Sequence, residues 1–150
     1  FPLAALVVRR DVAESMARRK FFNTYGANPM ACAAGRAVLR VIADEGLQRN
    51  ALEVGTLFGR ALERAATHPR VGQVRGRGLM RGIEFVRDRA TREPDDGSAA
   101  RVQEGLRERG VIVGRSGQYR NVLRINPPMC VTADDAAFFG NALDAAVGAL

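Results

Sequence analysis

The chain has 150 residues, 47% of them hydrophobic and 26% charged, with a formal net charge of +7. That balance excludes a disordered tail, and no apolar run approaches the ~20 residues that span a bilayer, so no membrane partner is expected. Two separated cysteines, Cys32 and Cys130, and one histidine, His68, fall short of the roughly four ligands of a zinc site, so no metal is expected.

Lys20 is the single lysine, so the positive charge comes from arginine. The arginines are spread along the chain, mostly with Asp or Glu nearby. This favours a solvated surface over a nucleic-acid interface, which clusters its cations against phosphates. Two unclustered cysteines suit a reducing compartment, and a cytoplasmic location is expected. FPLAALVV at the start has no basic region before it and no small-residue cleavage site after it, so it does not read as a signal peptide. A chain that opens on Phe1 in an apolar run is expected to be cut from something longer.

In chain order, Leu3 to Val8 is a continuous apolar run suited to a buried strand. A short helix follows, with Asp11 in its first turn. FFNTYGA carries neither a helical nor a strand period. Asn28-Pro29 then opens a helix, Asn as cap and Pro where an amide would be unpaired anyway. Met30, Ala34, Val38, Val41 and Ile42 share one face of it, and Gly46 ends it. The small residues Ala31, Ala33, Ala34 and Gly35 suggest close approach to another backbone. A second long helix runs from about Arg49 to Ala66, with Leu52, Phe58, Leu62 and Ala65 inward.

After His68-Pro69 the texture turns to strands, VGQVRGRG and LMRGIEFV, with glycines at the junctions. Arg87 to Gly97 is a charged loop, and a helix from Ser98 to Arg109 ends at Gly110. VIVGR and VLRIN are two more short strands, the second stopped by Pro127-Pro128. Thr132 and Asp135 are spaced as a capping box, followed by the stripe Ala136, Phe139, Leu143, Val147 and Leu150. The result is an α/β chain whose later part is an α+β module of three or four short strands with helices.

Taken together, FPLAALVV, FFNTYGANPMACAAGRAVL, VGQVRGRGLMRGIEFVRDRATREP and ERGVIVGRSGQYRNVLRINPPMCVTADDA resemble the C-terminal part of class III aminotransferases. These are fold-type I enzymes that use pyridoxal 5′-phosphate, and the texture is nearest the alanine–glyoxylate and ω-amino-acid branch. The resemblance implies that residues 1–66 are the end of the cofactor-binding large domain with its connecting helices. Residues 67–150 would then be the small α+β domain. It further implies a homodimer with the cofactor site at the subunit interface. Substrates would be an amino acid or ω-amine donor and a keto acid acceptor such as glyoxylate or pyruvate. A decarboxylase or aminomutase of the same class is the nearest alternative. An arginine-rich module that binds nucleic acid is the alternative from outside it.

The resemblance also gives the FFNTYGANP segment a purpose. Thr24, with its neighbour Asn23, would bind the cofactor phosphate of the partner subunit, with Gly26 allowing close approach. On residue chemistry alone, Asn23 and Thr24 capping a turn before the Asn28 helix is the favoured reading, and the resemblance reverses it. Ala27 stands where the family often has a second glycine, so a positive φ there would strain the loop. Arg124 alternates with Leu123 and Ile125 and therefore points away from them. The resemblance places it at the active-site entrance, where it can pair with a substrate carboxylate or a nearby glutamate. Leu79-Met80 would pack near that entrance, and Gly114 to Asn121 would be a flexible loop on the substrate side. No catalytic residue is assigned within the chain. The Schiff-base lysine is expected upstream of Phe1, because Lys20 follows Arg18-Arg19 at the solvated end of a helix. The 150 residues are accordingly expected to be inactive alone.

Overall fold

A computed structural model describes residues 2–20 and 22–150. The chain forms two compact units, Phe1–Glu45 and Gly46–Leu150. The first unit holds α1 (Arg10–Ala17) and α2 (Pro29–Asp44). The second holds α3 (Leu47–Ala65), β1 (Val71–Arg77), β2 (Met80–Phe85), α4 (Asp96–Glu108), β3 (Gly114–Ser116), β4 (Val122–Ile125) and α5 (Ala133–Gly148). No described helix is long and apolar enough to cross a membrane.

In the first unit, the cap of α2 forms as the sequence predicts. Asn28 Oδ1 accepts from the amides of Met30 at 3.0 Å and Ala31 at 3.1 Å, with Pro29 at the start of the helix. Residues 2–9, however, form no strand, and Leu6 and Val7 are exposed. A strand is stabilised by a neighbouring ladder, and the described residues of this unit supply none. For the same reason the apolar face of α2 stays open: Met30, Val38 and Val41 are exposed, and only Ala31 is buried. The close approach at Gly35 comes from a side chain rather than a backbone. A Cβ there would lie 2.3 Å from Leu3 Cδ2.

The second unit contains the hydrophobic core. Its sheet has the order β1-β2-β4-β3, and every neighbouring pair is antiparallel. Ile83, Phe85, Leu123 and Ile125 point to one face, against which α3 and α4 pack, and α5 closes the same core by packing on α3 and α4. Phe58 of α3 packs on Phe139 of α5 with ring centroids 4.9 Å apart. Of the four residues expected inward on α3, Phe58, Leu62 and Ala65 are buried but Leu52 is exposed. The buried stripe Val54, Phe58, Ala61, Leu62 and Ala65 keeps helical spacing, and Leu52 lies off its line. VIVGR also forms less strand than expected. Only Gly114–Ser116 pairs with β4, and Ile112 is exposed.

Two polar knots fix the sheet to its helices. Arg81, on the helix-facing side, donates to the carbonyls of Gly55 and Gly78, each at 2.8 Å, and so locks the β1–β2 hairpin onto α3. Asp95, only 7% exposed, caps α4 by accepting from the amide of Ser98 at 2.9 Å and its hydroxyl at 2.7 Å. It also pairs with Arg70 at 3.2 Å. Burial pushes the Asp95 carboxyl up, but the Ser98 hydrogen bonds and the charges of Arg70 and Arg101 outweigh it and hold it below the usual range. Amide and hydroxyl donors lower two exposed carboxyls as well: Thr91 and then Ala90 act on Asp88, and Thr132 acts on Asp135 through the reciprocal capping box of α5.

Carboxyls with lowered folded values stabilise the fold above the unfolded value of about 4, and that contribution is lost as pH falls through the folded values. The urea midpoint should therefore stay nearly level from pH 7 to about 5 and drop below about pH 4. Asp95→Ala should remove about 2–3 kcal/mol at pH 7, from a lost cap and lost charged hydrogen bonds, and should flatten part of the acid drop. Urea unfolding across pH measures both.

Candidate functional site

Two groups of residues carry chemistry, one in each unit. In the first unit, residues 24–27 form a turn between α1 and α2. Asn23 builds it: its Oδ1 accepts from the Tyr25 amide at 3.0 Å, and its carbonyl accepts from the Gly26 amide at 3.3 Å. Thr24 is exposed, and its hydroxyl makes no hydrogen bond among the described residues. Asn23 is thus engaged through its oxygen in shaping the turn, while the Thr24 hydroxyl is presented to solvent. A tight turn that offers a hydroxyl suits an anion with several acceptor oxygens, so these residues fit a phosphate.

Ala27 has φ +56°, the left-handed conformation that a side chain disfavours. The strain that the sequence made conditional is present. Ala27→Gly should relieve it, raising stability by up to about 1 kcal/mol after glycine's own entropic cost is subtracted. Denaturant unfolding of the variant checks this, and a loss of stability would mean that the side chain makes contacts worth more than the strain.

Lys20 lies exposed just after α1. A lysine that forms a Schiff base is activated by desolvation or a neighbouring cation, and an exposed position provides no desolvation.

In the second unit, Arg124 is exposed on the sheet face opposite the core, whereas Leu123 and Ile125 are buried, as the alternation requires. Its cross-strand neighbours are both glycines, Gly82 on β2 and Gly114 on β3. A Cβ on Gly114 would lie 3.5 Å from Arg124 Nη2, so the guanidinium lies across the bare backbone of that residue. Arg124 makes no hydrogen bond or ion pair among the described residues, leaving its planar fork of donors open to a carboxylate. Met80 is 70% exposed and Leu79 is buried. Of the loop expected at Gly114 to Asn121, the first three residues belong to β3, and Asn121 is buried with its amide donating to the Phe85 carbonyl at 2.9 Å.

Sequence reasoning did not find the glycines beside Arg124 or the pairing of Arg75 with Glu84 on the same face. Glycine inside a strand is the signal that could have found the first, since it marks a bulge or a close approach. It also missed Asn50, whose side-chain amide donates at 2.8 Å to the carbonyls of both Met129 and Val131 and holds the segment after β4.

A small antiparallel sheet with helices on one face, preceded by a helical unit, is the architecture of a segment of fold-type I pyridoxal-phosphate transferases. The family model described as Aminotransferase class-III matches residues 1–147, and the chain belongs to that family. It is 43% identical over 145 residues to alanine–glyoxylate aminotransferase 2 homolog 2, mitochondrial, from Arabidopsis thaliana, covering 96% of this chain and 30% of that protein. Among solved structures it is similar to a phospholyase from Arthrobacter in complex with phosphoethanolamine. That match has a TM-score of 0.83 and 34% identity, over 94% of this chain and 34% of the other. An amine transaminase from an uncultivated Pseudomonas species, in its PLP-bound form, matches with a TM-score of 0.78 and 32% identity, over 93% and 33%. The chain therefore spans about a third of the length of the relatives it matches. Pyridoxal 5′-phosphate is the cofactor of this family.

Proposed function

We propose that these residues serve a pyridoxal-phosphate-dependent aminotransferase. It would move an amino group between an amino acid or ω-amine and a keto acid such as glyoxylate or pyruvate. The observation that carries this reading is the family match along residues 1–147, together with a relative at 43% identity that is named for alanine and glyoxylate. Residues 1–66 would complete the large domain, with α3 as the connection, and residues 67–150 would form the small domain. The working unit would be a homodimer in the cytoplasm.

The cofactor, when bound, supplies the electron sink for bond cleavage at the substrate's amino carbon. The residues of this chain hold and orient. Thr24 would donate its hydroxyl to the cofactor phosphate of the partner subunit, while Asn23 sets the turn that presents it. Arg124 would bind the substrate carboxylate with two parallel N–H donors, fixing which end of the substrate faces the cofactor. Lys20, being exposed, would take no part, and the Schiff-base lysine would lie outside these residues.

A second reading is favoured by the likeness to the Arthrobacter phospholyase. One experiment separates the two. The holoenzyme given L-alanine and glyoxylate should form pyruvate and glycine in equal amounts. Release of inorganic phosphate from phosphoethanolamine without any keto acid, and no amino transfer, would favour the phospholyase reading instead.

A further inference from the structure

Across the outer face of the sheet run four directly opposed residues, Arg75, Gly82, Arg124 and Gly114, one on each strand. Glu84 stands two residues along β2 from Gly82 and so shares that face. It is opposite Gln73 on β1 and Val122 on β4. Glu84 is thus the diagonal neighbour of two arginines, Arg75 on one side and Arg124 on the other. Diagonal neighbours are about 7–8 Å apart at the backbone, within reach of long side chains.

Only one of these diagonals is closed. Arg75 Nη1 donates to Glu84 Oε2 and, at 3.0 Å, to Gln73 Oε1. Glu84 is partly shielded, its side chain 29% exposed. Gly82 places no side chain of its own between Glu84 and Arg124 on their shared face. The side-chain atoms nearest that gap are Val122 Cγ1 and Arg75 Cγ, 3.6 and 3.9 Å from where a Cβ would stand, and the Arg124 guanidinium turns the other way, over Gly114.

We propose that Arg75 is a positioning residue: by holding Glu84, it keeps the Arg124 guanidinium unpaired and available to a substrate carboxylate. The inference rests on the reading of Arg124 given above. Charge counting shows what Arg75 changes. With it, the three ionised side chains sum to one positive charge, located at the open guanidinium. Without it they sum to zero, and Glu84 becomes a tethered competitor for the substrate. The Gln73 amide oxygen, which also accepts from Arg75, keeps the Arg75 fork turned toward Glu84.

The test is nuclear magnetic resonance of the arginine Nε–H groups in the holoenzyme, with sodium glyoxylate titrated at constant ionic strength. In wild type, the Arg124 signal should respond to glyoxylate. In Arg75→Gln, the Arg124 Nε–H should shift and exchange more slowly with water before any glyoxylate is added, because Glu84 has moved onto it. Its apparent glyoxylate affinity should fall by up to about fivefold, the range of an exposed ion pair. Adding Glu84→Gln to that variant should restore both signals, and Arg75→Lys, which keeps a cation beside Glu84, should stay near wild type.

A glyoxylate-responsive Arg124 that ignores Arg75→Gln overturns this inference alone. So does a loss that Glu84→Gln does not restore, since that is general disturbance of the sheet. An Arg124 silent to glyoxylate in every variant overturns the reading of Arg124, and with it the purpose assigned to Arg75.

Discussion

Gly76→Ala is expected to destabilise the second unit by about 3–5 kcal/mol, the combined scale of a strained backbone and an overpacked contact. Gly76 has φ +130°, and a Cβ there would lie 2.1 Å from the Met80 carbonyl oxygen and 2.8 Å from Arg81 Cα. Both obstacles are backbone of the partner strand in the hairpin, so no side chain can swing aside. The hairpin would have to part at the point where Arg81 pins it to α3. Two neighbouring glycines serve as controls on the same strands and their turn. Gly78→Ala meets a positive φ of +54° but only a 3.2 Å contact, and should cost about 1–2 kcal/mol. Gly82→Ala, with nothing nearer than 3.6 Å, should be within about 1 kcal/mol of wild type. Urea unfolding of the three variants should rank them in that order, and an equal cost at all three would show that the close approach at Gly76 is not what the hairpin depends on.

The second large effect concerns cofactor affinity. Thr24→Val keeps the shape of the side chain and removes its hydroxyl. A hydrogen bond to a charged group contributes about 1.5–3 kcal/mol, so the holoenzyme should bind pyridoxal phosphate roughly 10- to 150-fold more weakly. Turnover at saturating cofactor should change much less, because the hydroxyl would touch the phosphate and not the reacting atoms. Thr24→Ser should retain most of the affinity. Asn23→Ala should act differently. Its oxygen accepts the Tyr25 amide, so its loss loosens the turn and weakens binding by less. Absorbance titration of the apoenzyme measures all three. An unchanged Thr24→Val affinity would leave the turn with a purely structural purpose.

What the sequence disclosed followed from how local each signal was. The Asn28 cap, the capping box at Thr132 and Asp135, and the alternation of Leu123, Arg124 and Ile125 depend on neighbours within four residues, and all three form as expected. The Leu3 to Val8 run was misread because apolar character says that a segment is to be covered and not what covers it; among the described residues no strand pairs with it. Leu52 was misplaced for a related reason. Six residues from Phe58 is about 120° around a helix, so Leu52 stands off the stripe through Val54, Phe58, Ala61 and Leu62, and its apolar character alone placed it inward. For the candidate site, motif resemblance pointed to Thr24 and Arg124, while composition and periodicity alone left both as ordinary surface residues. The glycines flanking Arg124 and the Arg75–Glu84 pair were illegible because they depend on register between strands far apart in the chain. One conditional reading proved sharp: Ala27 does adopt the positive φ that a glycine would hold without strain.

The central claim is that these residues belong to a pyridoxal-phosphate enzyme whose Schiff-base lysine is not Lys20. Borohydride reduction of the native holoenzyme, followed by peptide mapping, tests it most directly. The account predicts a pyridoxyl group on a lysine outside these 150 residues, with Lys20 unmodified. A pyridoxyl group on Lys20, or none anywhere in the native protein, would contradict it.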